Sequence, residues 1–285
     1  MKKLWALLFS ILIIIGCRQI DVPYVKQLNN INFKCSVIYP DVKSSQYFGY
    51  GKYATIYAFD TGDLTNYVGN TPASAFSSEY GQLVTLYPLS ISDGIYDFYS
   101  ISENSGNSPQ LYFYNGQALG VVNGIDYLWA ASKMKNITYD RNVKFQFKHV
   151  SCQIKLTILS EGNVSSVNVT DVKFTFPLQD GASISLSEGY IAPVNNVGAL
   201  ESINGYAHNR NFYLLPCTAS MIIEVVLDAS IDGDFQTGRI YRATLSEDLI
   251  GGIAYELCLT VKNNNTISVN CKTKAWSIHT ESITY

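Results

Sequence analysis

Side chains able to do acid–base, nucleophilic or metal chemistry are sparse in this chain, with three histidines and six cysteines among 285 residues. His149 lies on an alternating stretch beside Phe145 and Phe147, so it reads as a half-buried strand imidazole with its hydrogen bonds satisfied. His208 falls in the polar run Gly205-Tyr-Ala-His-Asn-Arg210 and reads as solvated; His279 lies in the terminal segment without the partner spacing of a metal site. Asp232-Gly-Asp234 could open a calcium loop, but the ligand series such a loop needs does not follow, so a polar hairpin turn is expected. No nucleophile elbow, HExxH, CxxC or P-loop occurs. Paired carboxylates of the glycosidase kind can come from any two strands and leave no spacing to read. The expectation is a protein with no catalytic site, metal or cofactor. A net charge of −3, with no Lys/Arg cluster beyond Lys2-Lys3, argues against nucleic acid as a partner.

One cysteine does stand in a chemical setting. Lys2 and Lys3 precede an uncharged run, Leu4 to Ile15, which closes at Gly16-Cys17. The run is too short for a membrane span, which needs about 20 apolar residues. A basic end, a short apolar core and a small residue at the cut site describe a secretory signal peptide. The Gly16-Cys17 junction resembles the bacterial lipobox, where the chain is cut between these residues and the cysteine sulfur is lipidated. One acyl chain anchors weakly and reversibly, whereas two or three hold a protein firmly at a membrane surface. Residues 1–16 are therefore expected to be removed, and the rest to be a body anchored outside the cytoplasm. Cys35, Cys152, Cys217, Cys258 and Cys271 remain, an odd number that does not suggest a disulfide framework.

The elements that would position these residues are strands. With 47% hydrophobic and 15% charged residues the chain can bury a core, and its 21 tyrosines suit half-buried sheet surfaces. Residues 17–30 read as a tether. Ile31, Phe33, Cys35, Val37 and Tyr39 alternate with polar residues, the period-two pattern of a strand. Asp93-Gly94 between apolar runs reads as a hairpin turn leading into Ile95–Tyr99, and Asn115-Gly116 as another turn. Phe145, Phe147 and His149 share one parity, while Val150, Cys152, Ile154, Leu156 and Ile158 share the other, so the chain either bulges near Lys148-His149 or changes sheet. A second phase change is expected at Asp171. In the last hairpin, closure through Asn263–Asn265 pairs Val261 with Ile267, Leu259 with Val269 and Leu257 with Cys271. The other register would oppose Cys258 to Cys271, but it sets apolar against polar residues and is disfavoured. Short strands at turn-punctuated spacing predict an all-β chain of two sandwich domains, 31–140 and 141–285.

Taken in order, several segments resemble the fimbrillin-like lipoproteins of Bacteroidales-type bacteria. They are Tyr53–Asp60, Gly94–Tyr99, Asn123–Ala130, the Val143–His149 strand, Cys152–Ile158, Tyr255–Val261, Thr266–Val269 and Trp276. The resemblance implies two tandem transthyretin-like β-sandwich domains and a non-enzymatic pilus subunit at the cell surface, lipid-anchored to the outer membrane. It also implies assembly with other pilus subunits by strand donation, in which, for shaft subunits, a trypsin-like protease removes the first strand and a strand of the next subunit fills the groove. On that basis Ile31, Phe33, Cys35, Val37 and Tyr39 are the exchanged strand, and Ala275–Tyr285, with Trp276 and Ile278, is the donor. No arginine occurs between Arg18 and Arg141, which leaves Lys43 as the processing site. That gap, and the single acidic residue soon after Cys17, favour an anchor or tip subunit over a shaft subunit. The alternative is a monomeric surface lipoprotein that binds a glycan or host protein through aromatic side chains on its loops, with Tyr112, Tyr114 and Trp129 as candidates that core packing would explain equally well.

Overall fold

In this computed structural model, residues 31–39, 45–194, 196–204, 211–264 and 266–276 are described. Gly16, Cys17, Lys43, His208, Ile278 and His279 lie outside them. Every regular element among the described residues is a strand, as the alternating patterns predict.

The first half builds β1 (Asn32–Ile38), β2 (Gln46–Tyr47), β3 (Tyr53–Asp60), β4 (Ala73–Glu79), β5 (Gln82–Thr85) and β6 (Ile95–Ser102). It continues with β7 (Tyr112–Tyr114), β8 (Gln117–Leu119), β9 (Leu128–Asn136) and β10 (Asn142–His149). Eight of these form one sheet in the order β10-β9-β6-β3-β4-β5-β1-β2, and β10 also pairs with β1. The sheet thereby closes on itself around a core containing Phe33, Phe48, Ile56, Phe98, Phe145 and Phe147. Along β3 both faces are covered: Ile56 and Ala58 face this core, while Tyr57 and Phe59 join a second one.

The second half contains β11 (Cys152–Ser160), β12 (Val164–Leu178), β13 (Ser183–Ser185), β14 (Asn196–Asn204) and β15 (Asn211–Leu214). It ends with β16 (Met221–Ile231), β17 (Asp234–Leu245), β18 (Ala254–Val261) and β19 (Ile267–Lys274). Two four-stranded sheets, β15-β11-β18-β19 and β14-β12-β16-β17, pack around Ile154, Phe174, Ile223, Leu227, Leu257 and Leu259. This is the sandwich arrangement. The β18–β19 register is the expected one, Leu257 opposite Cys271, Leu259 opposite Val269 and Val261 opposite Ile267. Cys258 faces Asn270 instead of Cys271, and both thiols are free. The phase change at Asp171 is a bulge in the β12–β16 ladder. Asp232-Gly233, both with positive φ (50° and 87°), turn β16 into β17, as a two-residue hairpin loop requires.

Two expectations are corrected. The boundary expected at Asp140–Arg141 falls between two strands of one sheet: β10 pairs with β1 and β9, and the chain changes sheet at Val150-Ser151. That change accounts for the parity switch after His149. Asp93-Gly94 does not close a hairpin, because β6 pairs with β3 and β9 while β5 pairs with β4 and β1. Between the two halves, β7 and β8 share a three-stranded sheet with β13, over a core joining Tyr57, Tyr99 and Tyr127 to Ile184, Leu186 and Leu215.

Candidate assembly site

The strand expected to be exchangeable sits deep in the first sheet. β1 runs parallel to β10 over seven pairs, Asn32↔Asn142 to Ile38↔Lys148. Its other edge is shared, with Phe33 and Lys34 opposite β5 and Ser36 and Val37 opposite β2. Between these two stretches the Cys35 N–H donates to the Gly81 carbonyl at 2.8 Å. Gly81 has φ +79°, and a Cβ there would stand 2.6 Å from the Tyr47 ring and 3.3 Å from the Cys35 carbonyl, so only glycine lets this turn approach β1 so closely.

Phe33, Cys35, Val37 and Tyr39 are buried, and Ile31 packs partly buried against the same core. The Phe33 ring stacks on Phe145 with centroids 5.7 Å apart and planes 3° from parallel, and meets Phe98 edge-on at 6.0 Å. Behind it Phe48 stacks on Phe147 at 4.8 Å. Large apolar side chains of this kind contribute about 1.5–3 kcal/mol each when fully buried. Withdrawing β1 would leave an apolar slot floored by Phe98, Phe145 and Leu83 and edged by the unpaired backbone of β10. Burial pushes the Cys35 thiol up to about 12, which keeps it neutral and unreactive.

At the end of this slot the strand meets residues from far along the chain. His149 is buried, and its Nδ1–H donates to Asp126 Oδ1 at 2.7 Å; Asp126 Oδ2 accepts from Asn104 Nδ2 at 2.8 Å. The imidazole is therefore packed, as its parity suggested, but it is fully buried, and its Nε2 has no partner among the described residues. Tyr39 lies 5.3 Å from the ring and Trp276 stacks on it at 3.9 Å. Trp276 is buried in the same core as Phe33. Burial and then the Asp126 charge raise the hydroxyl pKa values of Tyr39 and of Tyr213, the latter to about 12. Gly251 and Gly252 let the loop before β18 lie against the backbone here: a Cβ on either would stand within 3 Å of the Val150 or His149 carbonyl.

The residues proposed for ligand contact are not brought together. Tyr112 and Tyr114 project from β7, 65% and 71% exposed, and Tyr112 lines a cleft of about 310 Å³ with Asn123, Gln179 and Leu215. Trp129 is not free to bind. It sits on β9, its indole N–H donates to the Leu186 carbonyl at 3.1 Å, and the backbone of Gly189 covers its ring so closely that a Cβ would stand 2.2 Å away. Lys148 caps the ring at 4.8 Å. No group of three His, Cys, Asp or Glu side chains among the described residues could hold a metal ion.

A family profile described as fimbrillin-like matches residues 45–276. Among solved structures, one described as a cell adhesion protein of Bacteroides uniformis is similar at TM-score 0.58 and 17% identity, covering 87% of this chain and 99% of its own. Another, from Bacteroides ovatus, gives 0.59 and 14%, covering 88% and 99%. A fimbrial protein of Bacteroides vulgatus gives 0.56 and 14%, covering 87% and 100%. At such identities these likenesses speak for the fold. No match was found among curated proteins.

Proposed function

The chain belongs to the fimbrillin-like family, and from that premise we propose that it is a non-enzymatic pilus subunit that assembles by strand exchange and contributes to adhesion. The observation that carries this reading is β1. It is the first described strand, it supplies a row of buried side chains to the first core, and its loss would leave a full-length edge on β10 to be paired. A donated strand with apolar residues at alternate positions would satisfy both the unpaired backbone and the slot, which is the physics of β-augmentation.

In this proposal Cys17 carries lipid at the outer membrane and Lys43 is where processing would cut, both outside the described residues. The arginine-free stretch from Gln19 to Asp140 supports an anchor or tip subunit that keeps β1 in its own groove. Such a subunit would accept no strand while β1 is seated and would end a fibre.

Assembly tests the reading. Residues 18–285 and a chain beginning at Val42 are compared by light scattering and electron microscopy. The shorter chain should form oligomer ladders or filaments and the longer one should not. If neither assembles under any condition tried, the reading is dropped.

A second reading, ligand capture by a single subunit, is favoured by one observation: Tyr112 and Tyr114 stand exposed on β7, and Tyr112 lines the cleft. Saturable binding on a glycan array, lost in Tyr112→Ala, would support it.

A further inference from the structure

Tyr39 and Trp276 come from opposite ends of the described chain, yet both pack on one imidazole, at 5.3 Å and 3.9 Å. Tyr39 directly follows β1; Trp276 comes two residues after β19. The ring between them is fixed. The His149 side chain is 1% exposed, Asp126 holds its Nδ1–H, and Asn104 holds Asp126.

The segment carrying Asp126 is itself bonded to the sheet junction. The Val150 N–H donates to the Tyr127 carbonyl at 2.9 Å, the Tyr127 N–H to Ser151 Oγ at 3.1 Å, and the Ser151 hydroxyl to the Ile125 carbonyl at 2.9 Å. A rigid ring with two aromatic neighbours of different origin is a physical route for coupling.

We propose that His149 is a latch: it seats the end of β1 through Tyr39 and the start of the C-terminal segment through Trp276, so that neither leaves without loosening the other. Resting on the strand-exchange reading, the latch regulates that exchange. A subunit that keeps β1 keeps Trp276 seated, and a subunit that loses β1 loosens the packing of Trp276 on the imidazole. His149 acts here as a positioning residue. Coupling of this kind is reciprocal, so each end should report on the other.

The test uses residues 18–285 with β1 intact and follows alkylation of Cys35, on β1, beside that of Cys152, buried in the other core. Trp276→Ala should speed Cys35 alkylation about tenfold, a typical coupling, and leave Cys152 unchanged. Trp276→Phe, which keeps a ring on the imidazole, should stay near the parent rate. In the reverse direction, Tyr39→Ala should shift the fluorescence of Trp276 to the red, judged against Trp276→Phe as the blank.

An unchanged Cys35 rate overturns the latch. So does equal acceleration of Cys35 and Cys152, which would mean general unfolding, or a Trp276 spectrum indifferent to Tyr39→Ala. If the cross-effects hold while the chain from Val42 never assembles, the strand-exchange reading falls and the latch remains as a property of the fold. Filaments without cross-effects remove the latch alone.

Discussion

Phe33 of β1 and Phe145 of β10 lie face to face, 5.7 Å apart and 3° from parallel, within a parallel strand pair that joins the beginning of the described chain to the end of the first sheet. No turn places these strands side by side. The contact exists because each strand brings an apolar row to a single core, and it makes the first strand the closing piece of the sheet.

Truncating that contact should be costly. Phe33→Ala removes a side chain that is 2% exposed and leaves a cavity against Phe98 and Phe145, so a loss of about 3–5 kcal/mol is expected. Urea denaturation reads the loss, and faster Cys35 alkylation should accompany it.

Cys35 also predicts a pH dependence. Its thiol is raised to about 12 by burial, so the folded state favours the neutral form. Below the ordinary thiol range both folded and unfolded chains carry that form, and its contribution to stability is whole. As pH rises towards 12 the unfolded chain ionises first, and the contribution is lost. Stability should therefore fall over this range in the parent and less in Cys35→Ala. Native Cys35 should resist alkylation at pH 8 and react once β1 is released, as peptide mapping would show.

The last hairpin predicts an absence of cross-linking. Cys258 faces Asn270, and Cys271 faces Leu257, on opposite faces of the ribbon. Reductant should leave the melting temperature unchanged, and mass measurement of the unfolded protein should find both thiols free.

Much of the second half was legible because its signals are local. Alternation at Leu257, Leu259 and Val261 against Ile267, Val269 and Cys271 allows only one register that keeps apolar residues on one face, and that register is present. The slip at Asp171 and the parity switch after His149 likewise mark a bulge and a change of sheet. What was not legible is long-range. β1 finds β10 across the whole first sheet, Asp126 finds His149 from a loop, and β13 joins β7 and β8 from the other half. Asp93-Gly94 has hairpin residues but no hairpin, since strand order follows core packing and not the adjacent turn.

Trp129 is open to two readings in the sequence, ligand contact or core packing, for a related reason. An aromatic residue looks available until the segment that covers it is known, and here Gly189, with φ +66°, supplies the cover. Gly189→Ala should push the indole out, break its bond to Leu186 and destabilise the fold by about 1–3 kcal/mol. Tryptophan fluorescence and thermal melting would register both effects. Tyr114→Ala, at a side chain 71% exposed, should stay within about 0.5 kcal/mol of the parent.

Hydrogen exchange at β10 tests the strand-exchange account most directly, because this strand depends on β1 for seven paired positions and on β9 for only two. The amides in Val143–Phe147 that face β1, every second one along the strand, should be protected in residues 18–285, exchange rapidly in the monomeric chain that begins at Val42, and regain protection when that chain assembles. Filaments in which these amides still exchange freely would contradict the account, because the groove left by β1 would then be empty and some other contact would hold the fibre together.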